Sequence, residues 1–228
     1  MAHPAFADIG AAVFDAYGTL FDVNSAAQRR RARLGDKADK LAEIWRLKQL
    51  QYTWLRSLMG THADFWRVTG DALDFALAAV GIDDRALRDD LMELYLSLEA
   101  YPEVAAMLAK LKKAGLKTAI LSNGSPRMLD AAVKSAGLDA LLDAVLSVEA
   151  VGIFKPHPSV YRLAVERLAV TAPRISFQSS NAWDAVAAAQ FGFKVAWCNR
   201  FGQPRERLTA EPHAEIKTLA ELPGLLGV

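Results

Sequence analysis

The sequence IGAAVFDAYGTLFDV, residues 9–23, predicts the first strand of the fold and the turn that follows it. Small and apolar residues from Ile9 to Phe14 are typical of a short buried strand. The strand would end at Asp15, and Gly18 and Thr19 would follow in a turn. A carboxylate at the end of a buried strand is most often a turn cap, and less often a functional group. Residues elsewhere in the chain are needed to distinguish a turn cap from a functional group.

From Tyr101 onward, short apolar stretches alternate with amphipathic ones. Strands are predicted at 116–124, 144–148, 174–180 and 194–199, and helices at 103–115, 126–137, 158–170 and 182–192. One of these helices starts with Pro126 and ends with Gly137, which is the favoured asymmetry. Alternating strands and helices predict right-handed crossovers and an α/β fold with a doubly wound parallel sheet, that is, a Rossmann-like core.

Residues 23–99 follow a different pattern, with helical spacing and almost no strand signal. In 40–59 the apolar side chains recur near helical spacing, and 64–81 repeats this pattern before Gly81. We therefore expect a core made of residues 1–22 and 100–228, and a helical cap, residues 23–99, inserted after the first strand.

Composition narrows the class of protein. The chain has 228 residues, 52% of them hydrophobic and 23% charged, with a formal net charge of +1. A near-neutral chain lacks the basic footprint of nucleic-acid or membrane-surface binding, so we expect neither partner. Cys198 is the only cysteine, which excludes an intrachain disulfide and fits a cytoplasmic location. We expect no signal peptide in MAHPAFADIGAAVF, and no apolar run approaches the ~18 residues of a membrane helix.

Polar residues stand just past several of the predicted strands. They are Asp15, the pair Ser122 and Asn123, and the run from Ser179 to Asn181, with Lys155 and Asp184 in neighbouring loops or helix starts. Ligands of open α/β sheets bind outside the carboxyl ends of the strands, so these groups should share one crevice. In that setting Asp15 is a candidate nucleophile.

Four ordered motifs carry a resemblance. DAYGTL resembles the first motif of the haloacid dehalogenase superfamily, LSNG at 121–124 the second, Lys155 in FKPHPSVY the third, and SSNAWD at 179–184 the fourth. Their order and spacing are kept over essentially the whole chain. The first motif usually has a second Asp, which serves phosphatases as the general acid, and here Tyr17 takes its place. The fourth motif offers one carboxylate, Asp184, where phosphatases have paired acids for Mg²⁺.

A halide ion leaves without protonation and without Mg²⁺. These two departures therefore favour displacement of a halide over transfer of a phosphoryl group. With the cap segments WRLKQLQYTWLRSLM and DFWRVT, the chain looks like the L-2-haloacid dehalogenases of this superfamily. The resemblance implies hydrolysis of short L-2-haloalkanoic acids to D-2-hydroxy acids through an aspartyl ester. It implies a haloacid substrate and a halide ion as partners, no cofactor, no metal, and a homodimer.

The resemblance also implies roles for individual residues. The catalytic set would be Asp15, Thr19, Arg46, Lys155, Ser179, Asn181 and Asp184. Asp15 would be the nucleophile, Lys155 would balance its charge, and Asp184 is the candidate for activating water. Arg46 would hold the departing halide, although an isolated helical Arg is most often a solvated surface residue. Thr19 and Asn181 would hold Asp15 and polarise the ester carbonyl.

The substrate-binding set would be Tyr17, Leu50, Phe65, Ser122, Asn123, Tyr161 and Trp183. Ser122 and Asn123 would bind the substrate carboxylate, and their alternative is a capped polar turn. The apolar members would wall the pocket, and ordinary core packing is the alternative for each. Leu47 stands where the resemblance leads us to expect a polar Gln beside the arginine, so the preferred halogen stays open.

Two other functions stay open at this point. The first is a superfamily phosphatase acting on a small phosphorylated metabolite, and the second is a catalytically silent relative that binds small acids. The intact Asp15, Lys155 and Asp184 make the silent relative the weakest candidate. His62 and His157 have no carboxylate at ligand spacing in the sequence, and we interpret them as surface or loop residues.

Overall fold

A computed structural model describes residues 3–228; Met1 and Ala2, the first two residues of the predicted core segment, lie outside it. Within this range six strands form one sheet. They are β1 (Ala11–Phe14), β2 (Lys117–Ser122), β3 (Ala144–Ser147), β4 (Ile175–Ser179), β5 (Lys194–Cys198) and β6 (Ala214–Ile216). All neighbouring strands are parallel, and their order is β3-β2-β1-β4-β5-β6. The predicted fold class, a doubly wound parallel α/β sheet, is confirmed.

The position of β1 at the centre of the sheet places its carboxyl end in a crevice. Phe14, its last residue, pairs with Ile120 of β2 on one side and with Gln178 of β4 on the other. The chain builds outward from β1 to β3 and then returns to β4, so the strand order reverses beside β1. A loop that leaves β1 therefore enters the space where such sheets bind their ligands.

Ten α-helices accompany the sheet in the described residues. They are α1 (Ser25–Arg29), α2 (Arg31–Leu34), α3 (Ala38–Met59), α4 (Phe65–Ala79), α5 (Arg85–Tyr95), α6 (Val104–Lys113), α7 (Pro126–Ser135), α8 (Pro158–Leu168), α9 (Ala182–Phe191) and α10 (Leu222–Leu226). Each strand and helix predicted between residues 103 and 199 lies within a few residues of its predicted bounds. The strand β6 and the helix α10 were not predicted.

Helices α1 to α5 lie between β1 and β2 in the chain, which is where the sequence predicts the inserted cap. Asp64 begins α4 by accepting a hydrogen bond from the amide of Arg67, and Asp84 begins α5 in the same way through Leu87. Gly60 ends α3 with φ of 66°, a left-handed conformation that favours glycine. The boundaries of the cap at residues 23 and 99 stay a prediction.

The core forms because helices cover the sheet. Every residue of β1 and β4 is buried, which is typical of parallel strands with helices on their faces. Burying a large apolar side chain such as Phe14 or Phe177 contributes roughly 1.5–3 kcal/mol to folding. None of the helices in residues 3–228 is long and apolar enough to cross a membrane.

Candidate active site

The loop after β1 holds Asp15 at the mouth of the crevice. The amide of Asp15 donates to the carbonyl of Gln178 at 2.9 Å, so the residue is still tied to the sheet. The loop then turns, and the carbonyl of Ala16 accepts hydrogen bonds from the backbone amides that follow in the turn. Gly18 makes this turn with φ of 89°, where a side chain would be strained. Asp15 is thus both rigidly held and 6% exposed.

A buried lysine joins two carboxylates in this crevice. Lys155 Nζ lies 3.0 Å from Asp15 Oδ1 and 2.9 Å from Asp184 Oδ2, and its side chain is 1% exposed. Asp184 comes from the first turn of α9, and its other oxygen accepts from the hydroxyl of Tyr161 at 2.7 Å. Residues from the loop after β1, the segment before α8, and two helices therefore share one network.

Burial and neighbouring charges together raise the pKa values of Lys155, Asp184 and Tyr161, each by a different balance of the two. Burial alone would lower the pKa of Lys155, but the adjacent Asp15 and Asp184 outweigh it and raise that pKa above its usual value. Burial raises the pKa of Asp184, only partly offset by Lys155, and the negative charge of Asp15 raises it further. Burial also raises the pKa of Tyr161 well above its usual value, so its hydroxyl stays protonated and donates to Asp184.

The second oxygen of Asp15 accepts two hydrogen bonds. Thr19 Oγ1 lies 3.2 Å and Asn181 Nδ2 lies 2.8 Å from Asp15 Oδ2. The Thr19 hydroxyl in turn accepts from the amide of Ser180 at 2.8 Å, and the buried Ser179 hydroxyl accepts from the amide of Asn181 at 3.2 Å. Ser179 is therefore placed to shape the turn that carries Asn181, and it makes no described contact with Asp15.

Arg46 reaches this network from α3. Its Nη2 donates to Asn181 Oδ1 at 3.1 Å and to the carbonyl of Tyr17 at 3.4 Å. Its Nη1 donates to Gln49 Oε1 at 2.7 Å. The salt bridges found among residues 3–228 do not include Arg46, so neutral oxygens alone hold this half-buried guanidinium. Asn181 lies between Arg46 and Asp15, bonded to both.

Ser122 and Asn123 lie at the end of β2, beside β1. The Ser122 hydroxyl is buried and accepts from the amide of Gly124 at 3.0 Å. Asn123 Oδ1 accepts from the amide of Lys155 at 3.0 Å, which ties the lysine to the end of β2. One atom of each predicted carboxylate ligand is thus already used inside the protein.

Aromatic side chains surround the loop after β1. The ring of Tyr17 lies 5.7 Å from that of Phe65 and 5.6 Å from that of Tyr95, between ring centroids. Tyr17 is 2% exposed, its hydroxyl has no hydrogen-bond partner in the described part of the chain, and burial raises its pKa well above its usual value. Trp183 is half-buried and meets Trp54 edge to face at 5.4 Å. With its pKa raised in this way, the phenol of Tyr17 is a poor general acid.

The predicted pocket residue Leu50 and the departure Leu47, both on α3, differ in their exposure. Leu50 is half-buried one turn after Arg46, on the same side of the helix. Leu47 is 58% exposed.

Sequence reasoning missed three residues that contact the site. Gln49 bonds Arg46, and Tyr95 packs on Tyr17 while its hydroxyl meets the carboxamide of Gln49. Arg200 donates to the carbonyl of Thr19 at 2.9 Å from the turn after β5. The spacing of Gln49, three residues after Arg46 on a helix, was a usable signal. Tyr95 and Arg200 gave none, because only the fold brings them close.

The two histidines differ from one another. His157 is exposed at the start of α8, where its side chain accepts from the amide of Ser159. His62 is in a loop, as expected, but it is half-buried: its Nε2 lies 3.0 Å from Glu149 Oε2 and its ring packs on Phe154. His62 is half-buried because the loop after α3 packs against the segment after β3. Among residues 3–228, no three His, Cys, Asp or Glu side chains are arranged to hold a metal ion.

Known proteins resemble this chain over nearly its full length. A model of the haloacid dehalogenase-like hydrolase family matches residues 9–192. The (S)-2-haloacid dehalogenase 1 of Pseudomonas sp. strain CBS-3 is 45% identical over 219 residues, 96% of each chain. The (S)-2-haloacid dehalogenase 4A of Burkholderia cepacia is 47% identical over 217 residues, 95% of this chain and 94% of the relative. A solved L-2-haloacid dehalogenase from Xanthobacter autotrophicus, with chloropropionic acid covalently bound, has a TM-score of 0.90 at 41% identity and covers 96% of this chain and 98% of its own.

Proposed function

The chain belongs to the haloacid dehalogenase-like hydrolases, and we propose that it hydrolyses short L-2-haloalkanoic acids to D-2-hydroxy acids through an ester on Asp15. One observation carries this proposal within the family. The amide of Asn181 joins the carboxylate of Asp15 to the guanidinium of Arg46, which has no carboxylate partner in residues 3–228. A nucleophilic anion and a cation free to bind a leaving anion thus lie on the two sides of one small side chain.

The first step forms the ester. An oxygen of Asp15 attacks C2 of the haloacid in line with the carbon–halogen bond, which breaks as the halide leaves with the electron pair. Lys155 donates to Oδ1 and offsets the negative charge of Asp15 in the buried crevice. Asp15 Oδ1 accepts one hydrogen bond and Oδ2 accepts two, so Oδ1 keeps the freer lone pair and is the better nucleophile. In-line attack inverts C2 and converts the L substrate into the D product.

The second step hydrolyses the ester. Water attacks the carboxyl carbon of Asp15, and Asp184 accepts one of its protons. The negative charge that develops on Oδ2 is stabilised by the donors already in place, Thr19 and Asn181, as in an oxyanion hole. The bond between the carboxyl carbon and Oδ1 then breaks, and Asp184 returns its proton to the leaving oxygen of the hydroxy acid. The new carboxyl group loses the second proton of the water, so the net reaction releases one halide ion and one proton.

The remaining predicted residues complete the pocket in this proposal. Ser122 and Asn123 present the end of β2 to the carboxylate of the substrate. Tyr17, Leu50, Phe65 and Trp183 form apolar walls, which exclude water and strengthen the charge interactions inside. Tyr161 and Ser179 act through Asp184 and the turn at Asn181. No cofactor enters either step.

We place the enzyme in the cytoplasm as a homodimer, with an inserted cap over the crevice. The one cysteine, Cys198, is a buried free thiol, which agrees with a reducing compartment. Helix α3 exposes Leu47, Leu55, Leu58 and Met59, which supports a second copy of this chain as the partner of that face. Sedimentation velocity of the purified chain tests the dimer directly.

A two-substrate assay tests the activity. The expected result is halide release from L-2-chloropropionate that EDTA does not affect, with no phosphate release from p-nitrophenyl phosphate. Phosphate release that EDTA abolishes would instead establish the phosphatase, the second candidate function. Release of neither product would point to the silent relative.

A further inference from the structure

Gln49 is a buried amide beside the guanidinium of Arg46. It is 1% exposed and lies on α3, three residues after the arginine. Its Oε1 accepts from Arg46 Nη1 at 2.7 Å, and its Nε2 donates to Thr69 Oγ1 at 2.8 Å. The hydroxyl of Tyr95 lies 3.0 Å from Nε2 and 3.2 Å from Oε1. Every polar atom of this amide is therefore occupied.

The hydrogen-bond partners fix which way the amide points. The hydroxyl of Thr69 donates to the carbonyl of Phe65 at 2.6 Å, so it can only accept from Gln49. Nε2 therefore faces Thr69, and Oε1 faces Arg46. The opposite orientation would set an amide donor against a guanidinium donor.

Among the described residues, only neutral oxygens hold Arg46. They belong to Gln49, to Asn181 and to the backbone of Tyr17. A carboxylate in any of these places would orient the guanidinium equally well, but it would also cancel the charge. An amide orients it and leaves the positive charge for another anion.

We propose that Gln49 is a positioning residue for halide departure, which aims Arg46 with a neutral acceptor and so preserves its charge for the leaving ion. This inference rests on the proposed dehalogenase function. It explains why an acceptor this close to an arginine is not an acid, and it makes the charge of residue 49 a determinant of the rate of carbon–halogen cleavage.

The test is the isosteric change Gln49→Glu. It keeps the size and the acceptor of residue 49 but gives Arg46 a counter-ion. We expect kcat for L-2-chloropropionate to fall and the inhibition constant of bromide to rise, each by roughly tenfold or more, because a carboxylate at position 49 would offset the positive charge that receives the halide; tenfold corresponds to about 1.4 kcal/mol. KM should change less than kcat, since the leaving group gains most of its charge in the transition state.

Gln51→Glu is the matched control. Gln51 is exposed on the same helix, where its side chain accepts from Lys48 Nζ at 2.8 Å, so the same chemical change should leave kcat and bromide inhibition as in the wild type. If Gln49→Glu does not fold, Gln49→Met removes the acceptor without adding charge. It should lower kcat because Arg46 loses an acceptor that aims it.

The outcomes separate the two proposals. A wild-type enzyme that releases halide, together with a folded Gln49→Glu or Gln49→Met variant of unchanged kcat and bromide inhibition, overturns the role of Gln49 alone. A merely structural role would lower the melting temperature and leave bromide inhibition of the folded enzyme unchanged, which also overturns it. A wild-type chain that releases no halide overturns both proposals.

Discussion

Lys155 Nζ lies 3.0 Å from Asp15 Oδ1, although the two residues are 140 positions apart in the chain. The lysine is 1% exposed and the aspartate 6%, so water screens this pair little. Asp184 accepts a second hydrogen bond from the same ammonium group. Within residues 3–228, Lys155 is therefore the only positively charged side chain in direct contact with both carboxylates of the site.

Lys155→Met should abolish ester formation. Without the ammonium group, Asp15 Oδ1 loses the donor that holds it, and two buried carboxylates with no counter-ion repel the anionic substrate. Breaking a buried pair costs about 3–5 kcal/mol of stability, and thermal unfolding should show that loss. Rapid-quench measurement of the first equivalent of halide checks the chemistry. The exposed pair of Lys134 and Asp130 supplies the control, Lys134→Met, which should change neither quantity.

Arg46→Lys should keep the fold but lose at least about tenfold in kcat, because a point charge cannot replace a planar fork of donors that bonds several acceptors at once. Steady-state halide release measures the effect. Arg56→Lys on the same helix is the comparison, since Arg56 pairs with Asp71 away from the crevice. Near-normal turnover of Arg46→Lys would contradict its role as the halide cradle.

The rate of ester hydrolysis should fall in acid at a higher pH than an ordinary aspartate would give. Burial raises the pKa of Asp184, so on acidification this carboxylate gains its proton early and can no longer accept one from water. The raised pKa of Lys155 keeps the lysine charged, so it adds no loss on the alkaline side near neutrality.

A stopped-flow profile should accordingly show an intact first halide release and a slowed second step as the pH falls. Asp184→Asn should release about one equivalent of halide at every pH and then stop, because the ester persists. Full turnover by this variant would remove Asp184 from the hydrolytic step.

The oxygen of Asp15 should enter the product before that of water. In a single turnover with excess enzyme in ¹⁸O-water, the hydroxy acid should be unlabelled and the peptide covering residues 9–23 should carry the label. After many turnovers the product should be labelled, since each hydrolysis loads a solvent oxygen into the carboxylate. Labelled product in the first turnover would mean that Asp15 activates water and forms no ester.

Arg200→Met should loosen the loop that carries Asp15. Arg200 donates to the carbonyl of Thr19 and pairs with Glu103 at 2.7 Å, and both partners are mostly buried. The expected loss lies between those of exposed and buried pairs, about 2 kcal/mol, and denaturant unfolding measures it. Because Thr19 bonds Asp15, kcat should fall as well. A destabilised variant with wild-type kcat would limit Arg200 to the fold.

Local pattern determined the sheet and its helices. Alternation of apolar stretches between residues 103 and 199 placed each strand and helix within a few residues, because periodicity and terminal signals such as Pro126 and Gly137 are properties of short segments. This pattern did not predict the short elements β6 and α10. Three residues show little periodicity, and β6 exists because its backbone pairs with β5.

The chain order of the motifs also placed Asp15, Lys155 and Asp184 in one crevice, since parallel strands present their carboxyl ends at one edge of the sheet. What each side chain touches was decided by the tertiary structure. Asn123 bonds the backbone of Lys155, and His62 pairs with Glu149, because segments far apart in sequence pack together.

The same holds for the charge of Arg46. The spacing of Gln49 on α3 indicated one neutral partner, but whether a carboxylate would also pair with Arg46 depends on α4, α5 and the turn after β4 meeting at one point. There Gln49, supported by Thr69 and Tyr95, and the amide of Asn181 surround the guanidinium with neutral oxygens. Sequence supplied the arginine, and only three-dimensional packing left its charge without a carboxylate partner within residues 3–228.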